Sequence, residues 1–175
     1  MNWIDEFKNN NISFSWSELK VGRFGFSDEK FYLQGLIDDN CVIKYTLNYL
    51  SENENEENQY LWELASLNPP NYDANEIFRL LDSVDNSKVH DLKAYYKWRW
   101  LLVNSLLQRI STKNYVNGLL EISEFWLDLE SPPDMPYQFQ GIKNEMTPKE
   151  FYTEQHLIQV ISNHEKWLKN EKMKF

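Results

Sequence analysis

Cysteine, histidine, glycine and proline are all scarce in this sequence. Cys41 is the only cysteine, which excludes an internal disulfide and any zinc site built on several thiolates. Five Gly and six Pro in 175 residues argue against a turn-rich β architecture and for long helices. No apolar run approaches the roughly 20 residues that a membrane span needs. The opening MNWIDEFKNNN has acids where a secretory leader has basic residues. These absences lead to the expectation of a cytoplasmic protein with no membrane partner.

Motifs of known chemistry are missing as well. Gly22-Arg23-Phe24-Gly25 lacks the third glycine and the preceding strand of a dinucleotide-binding turn. There is no Gly-x-Ser-x-Gly elbow and no His-Glu-x-x-His pair. The three histidines are His90, His156 and His164. His156 and His164 are separated by about 80° around an ideal helix, so with Glu154 or Glu165 they could in principle ligate a metal. A His beside apolar residues is more often packed, and no metal or other cofactor is expected. Cys41 lies among acids, which disfavour the thiolate that a nucleophile needs. Neighbouring acids such as Asp38-Asp39 and Glu56-Glu57 point apart on a helix and need no catalytic explanation. The chain therefore reads as a binding protein and not an enzyme.

What is abundant is aromatic side chain and acid. Aromatics make up 15% of residues, and apolar residues together 42%, enough to offset chain entropy and fold. The length suits one well-buried core and is short for two, so a single helical domain over 1–175 is expected. Residues 1–87 hold 16 Asp/Glu against 6 Lys/Arg, and residues 88–175 hold 11 against 12. An acidic half repels phosphate backbones and attracts basic partners, although the same charge also serves solubility.

Helix signals dominate the order of the chain. Ser15-Trp16-Ser17-Glu18 has capping-box spacing, with Gly22 and Gly25 as places to stop. Ser27-Asp28-Glu29 predicts a further short helix, its acids favoured at a helix N-terminus. Another helix starts after Asp38-Asp39, carrying Val42, Tyr45, Tyr49 and Ile43, Leu47, Leu50 as adjoining apolar rows. Residues 51–58 contain no apolar residue and read as a solvated loop or frayed helix start. Tyr60, Leu61, Leu64 and Leu67 follow at helical spacing until Asn68-Pro69-Pro70-Asn71 stops them. Asp73 and Glu76 repeat the capping spacing before Ile77, Leu80, Leu81 and Val84.

The clearest pattern spans about 88–110. Val89, Leu92, Tyr96, Trp100, Val103, Leu107 and Ile110 form one stripe, which predicts a long central helix. Tyr115, Leu119, Ile122, Trp126 and Leu129 repeat it after a short break, so the two helices are expected to pair as an antiparallel hairpin. Ser131-Pro132-Pro133-Asp134-Met135-Pro136 ends the second. Thr147-Pro148-Lys149-Glu150 combines an N-cap, Pro at the first helical position and Glu at the third, and opens a final helix to about residue 169. About seven helices result, as an orthogonal bundle or stacked helix pairs.

One basic stretch interrupts the acidic theme. Lys88, Lys93, Lys97, Arg99, Arg109 and Lys113 are interleaved with Tyr95, Trp98 and Trp100, a pattern that can bind single-stranded nucleic acid. The net charge of −9 and a pI near 4.9 favour a simpler reading, in which these charges clothe a helix and no nucleic acid is bound. Trp98 and Trp100 bracket Arg99 on different sides of that helix, which predicts partial exposure of at least one.

Phe14-Ser15-Trp16-Ser17-Glu18-Leu19-Lys20-Val21-Gly22 resembles the start of an uncharacterised bacterial family, domain of unknown function 2247, whose members open with a Trp-containing capped helix ending in Gly. Phe125-Trp126-Leu127-Asp128-Leu129-Glu130-Ser131-Pro132 and Lys97-Trp98 are similar to further segments of it. The resemblance implies a small helical bacterial protein, of the kind found beside polymorphic and contact-dependent toxins and taken there for immunity proteins. It supplies no catalytic residues.

Together these features lead to the expectation of an immunity protein that occludes a cognate toxin with a basic surface, such as a nuclease. The alternative is a non-catalytic helical scaffold or regulatory interaction module. Acids at helix starts have local reasons to be acidic. The acids left without one are Asp38, Asp39, Glu52, Glu54, Glu56 and Glu57, which with Trp62 as aromatic anchor form the expected partner-binding surface.

Overall fold

The computed structural model describes residues 2–68, 73–85, 92–142 and 144–175. Among them are nine α-helices and one two-stranded sheet, an all-α fold. The chain divides into two compact units. The first comprises Met1–Ser27 and Leu33–Tyr95, the second Asp28–Tyr32 and Tyr96–Phe175.

The first unit contains α1 (Trp3–Asn9), α2 (Trp16–Phe24), α3 (Asp39–Glu52), α4 (Gln59–Ser66) and α5 (Ala74–Val84). Caps hold three of these starts, those at Ser15 and Asp73 as predicted, whereas Asp38, expected to have no local reason to be acidic, proves to cap α3. Glu18 accepts the backbone N–H of Ser15 at 2.7 Å in a capping box, Asp38 accepts from Cys41 at 2.8 Å, and Asp73 from Asn75 at 3.0 Å. Each satisfies an orphan amide of a first turn. Leu19, Val42, Leu64, Ile77, Leu80 and Leu81 form the core, with Phe14, Trp16 and Tyr45 packed against it. Leu47 departs from its predicted apolar row and is 51% exposed.

Gly25, and not Gly22, ends α2. Its φ of +82° is open to glycine, and a Cβ there would lie 2.3 Å from the Leu33 carbonyl oxygen. Gly22 stays inside the helix, where its carbonyl accepts from Leu36 and Ile37. The helix expected from Ser27-Asp28-Glu29 is instead a hairpin, with β1 at Phe26–Ser27 and β2 at Tyr32–Leu33. Asp28 Oδ1 accepts the backbone N–H groups of Lys30 and Phe31 at 2.7 Å each. A carboxylate that caps a helix can equally close a turn, and the aromatics around it favour a strand.

α6 (Leu92–Arg109) begins in the first unit and continues into the second, which adds α7 (Tyr115–Asp128), α8 (Pro148–Phe151), α9 (Glu154–Glu171) and a closing 3-10 turn, Lys172–Lys174. Lys88, Val89, His90 and Asp91, expected at the start of α6, lie outside the described residues, as do Pro69, Pro70 and Asn71. The middle of α6 is buried on all sides. Trp98 and Trp100 are both buried, against the expectation that one would be partly exposed, because residues 98–101 are buried in succession and leave the helix no exposed side there. Trp100 also donates its indole N–H to the Leu168 carbonyl at 3.0 Å.

α7 packs principally on α9, while Ile110, just past α6, lies close to Gly118 of α7. A Cβ at Gly118 would lie 3.1 Å from Leu157 Cδ2, so the absence of a side chain there permits the approach. The Thr147 capping box is present, but it opens only the single turn α8. Thr153 then caps α9 anew by accepting from His156 at 3.2 Å.

Arg99 ties the second unit together. Its guanidinium is fully buried and makes a bidentate pair with Asp134, at 2.8 and 2.9 Å. It also donates to the buried carboxylate of Glu171. Lys174 closes the cluster, at 2.6 Å from Glu171 and 3.1 Å from Asp134. Phe31, Tyr96 and Trp167 surround the guanidinium, their ring centroids 4.9–5.3 Å away. Burial alone would raise the Asp134 carboxyl, but Arg99 and Lys174 outweigh it and hold it below the usual range. Burial would lower Lys174, and Glu171 with Asp134 raise it instead.

Arg99→Met should therefore cost about 3–5 kcal/mol in chemical denaturation, because Glu171 stays buried without its main counter-charge. Arg99→Met combined with Glu171→Leu should recover at least about 1 kcal/mol of that loss. No recovery would show that the aromatic contacts, and not the ion pair, carry the stability.

Candidate functional site

In the first unit a groove of about 690 Å³ lies between α1 and α3, within the range of about 300–1,000 Å³ typical of binding sites. At about 100° per residue, Cys41, Tyr45, Asn48 and Glu52 fall within about 60° of one another on α3. All four line the groove, with Tyr49 and Phe14 beside them. The rings are held by edge contacts. Phe14 and Tyr45 centroids are 5.4 Å apart, Trp16 and Tyr45 5.0 Å, and Trp16 and Tyr49 5.2 Å. The walls of the groove are therefore set before anything binds.

The groove carries five charged side chains: Asp5, Lys8, Asp38, Lys44 and Glu52. Asp5 and Lys8 are one turn apart on α1 and oppose each other. Asp38 and Lys44 flank Cys41 with opposite effects on its thiol, whose pKa is raised chiefly by burial and then by Asp38. That keeps Cys41 a thiol and a poor nucleophile. Glu52 lies about 21 Å along the axis from Asp38 and is exposed. It stands at the negative end of the α3 dipole, in a last turn with no basic residue. Helix electrostatics favour a cation there, by about 0.3–1 kcal/mol.

The expected partner-binding residues separate into two groups. Asp39 forms an ion pair with Arg23 and is only 24% exposed, and one oxygen of Asp38 is used as a cap. Glu56 accepts from the Tyr49 hydroxyl at 3.2 Å and from the Asn58 amide at 3.0 Å. Glu52, Glu54 and Glu57 remain exposed. Trp62 is 52% exposed, and its indole donates to the Glu56 carbonyl at 3.1 Å, so the ring is fixed at the surface beside these acids. Burial and neighbouring carboxylates raise the Tyr45 phenol, and burial with the Glu56 hydrogen bond raises that of Tyr49. The sequence had placed both tyrosines in core rows. Their hydroxyls were the available sign that each needed a polar neighbour.

His156 and His164 each have their own packing partners. His164 is buried, with Nδ1 donating to the Val160 carbonyl at 2.7 Å and Nε2 accepting from Trp126 Nε1 at 2.8 Å. Both nitrogens are thus used in the neutral ring, and burial lowers its pKa despite the opposing pull of Val160. His156 packs on Phe151 at 4.5 Å, and burial lowers it too. His90 lies outside the described residues. Among the described residues no three His, Cys, Asp or Glu are placed to hold a metal ion. None of the described helices is long and apolar enough to cross a membrane. In the basic stretch, Arg99 is consumed by Asp134 and Glu171 and presents no charge to solvent.

Residues 4–172 match the model of a family described as an uncharacterized protein conserved in bacteria, DUF2247. No curated protein and no solved structure matches the chain.

Neutral His164 makes a pH-dependent contribution. A depressed pKa gives stability that is complete above the ordinary histidine value, about 6.5, and lost as pH falls through the folded value. Denaturation midpoints should therefore fall below about pH 6.5. The fall should be shallower in His164→Gln, with a residue left by His156. Parallel curves for the two proteins would refute this assignment.

Proposed function

The chain belongs to this bacterial family, and on that premise we propose that it is a non-catalytic immunity protein. In this reading it acts in the cytoplasm, binding a cognate toxin and occluding its active site or a surface it needs. The observation that carries the reading is the acidic rim at the end of α3, where Glu52, Glu54 and Glu57 are exposed around the fixed ring of Trp62. An aromatic anchor with a charged rim is the anatomy of a protein-binding surface. Carboxylates at that rim suit a toxin with a basic face, such as a nuclease, because they occupy the place of nucleic-acid phosphates and accelerate association.

One feature favours a second reading, a helical scaffold or regulatory module. Val116, Leu120 and Leu127 are exposed on one face of α7, a row at helical spacing on the other unit from the acidic rim. A module could engage its partner there instead.

Co-expression with the protein encoded immediately upstream separates the two. The immunity reading predicts co-purification and protection of cells from that protein. Protection should be lost when Trp62→Ala is combined with Glu54→Lys and Glu57→Lys, all at exposed positions where folding should survive. Loss of protection in Leu120→Asp with the triple variant still active would favour the α7 surface.

A further inference from the structure

The partner chemistry can be narrowed at one end of the α1/α3 groove. Five charged side chains line it, Asp5, Lys8, Asp38, Lys44 and Glu52, three acids against two bases. Glu52 is the one in the last turn of α3. Among the described residues no cation bridges it, and it adds to the negative end of α3. Tyr49 and Tyr45, one and two turns earlier on α3, line the same groove. Both rings are immobilised by Trp16, and the Tyr49 hydroxyl is held by Glu56. A rigid aromatic wall ending in an uncompensated carboxylate suits a planar cation, which stacks on π systems and donates to carboxylate.

We infer that this end of the groove is a socket for an arginine side chain of the partner protein, its guanidinium against Tyr45 and Tyr49 and paired with Glu52. The inference rests on the proposed binding role and specifies what is bound. Arginine fits better than lysine because its flat, weakly hydrated head group combines stacking with paired hydrogen bonds. Arginine is also among the residues that dominate binding energy when seated in such a pocket. Little ordering of the socket is needed, since its rings are already fixed.

The socket can be tested without the partner. Nα-acetyl-arginine amide, titrated into the full chain and followed by NMR, should shift the Tyr45 and Tyr49 ring signals saturably. Nα-acetyl-citrulline amide, of the same shape without the charge, should leave them in place. Glu52→Gln should weaken binding of the arginine probe by about fivefold or more, whereas Glu121→Gln, an exposed acid on α7, should not. Equal shifts from citrulline, equal effects of the two substitutions, or no tyrosine shift would overturn the socket. The two proposals fail separately. If the arginine probe binds as described but the upstream protein is not neutralised, the socket stands and the toxin reading falls. If cells are protected equally by the wild type and Glu52→Gln while the probe leaves both rings untouched, the socket alone falls.

Discussion

A fully buried guanidinium organises the second unit. Removing the charge of Arg99 from water is costly, and the cost is met only because two carboxylates and three aromatic rings converge on it. Those partners come from the hairpin tip, from α6, from the Pro-rich segment after α7 and from the end of α9. The charges balance only when Lys174 joins Arg99 against Asp134 and Glu171. The constraint also explains the shape of the segment that contains Asp134. Its carbonyl accepts the Trp167 indole at 2.9 Å while its carboxylate faces Arg99, so both ends of one residue are fixed.

The acids of the first unit follow a different logic. Most have a structural partner close by. Glu18 and Asp73 cap helices, Asp39 pairs with Arg23, and Asp82 pairs with the buried Lys20. Against that background the end of α3 is an exception. Glu52 stands where the helix dipole favours a cation, and Glu54 and Glu57 follow in the connection to α4. A surface that is electrostatically unfavourable alone becomes favourable when a cationic partner covers it. That is the physical basis for placing function there and not on the acidic half as a whole.

The helices were largely legible because their signals are local. Caps at Ser15, Asp73 and Thr147 work through hydrogen bonds a few residues long, although the equally local cap at Asp38 was taken for a partner-binding acid. The hairpin at Asp28 was misread for the same reason, since one carboxylate can close a turn or start a helix. Arg99 was beyond local reading. Its partners Asp134 and Glu171 are 35 and 72 residues away, and nothing in its neighbourhood distinguishes it from the exposed lysines nearby. The acidic rim was legible from composition, whereas the groove was not. Tyr45 packs against the core and Tyr49 against Trp16, yet both also line the groove, and periodicity registers only the packing.

The central claim is that the partner is met at the end of α3. Hydrogen exchange of the chain, free and bound to the upstream-encoded protein, addresses it most directly. Binding there should slow exchange in the last turn of α3 and from Asn53 to Trp62, with α7 unchanged. Slowing confined to α7, with the α3–α4 connection exchanging as in the free protein, would contradict it.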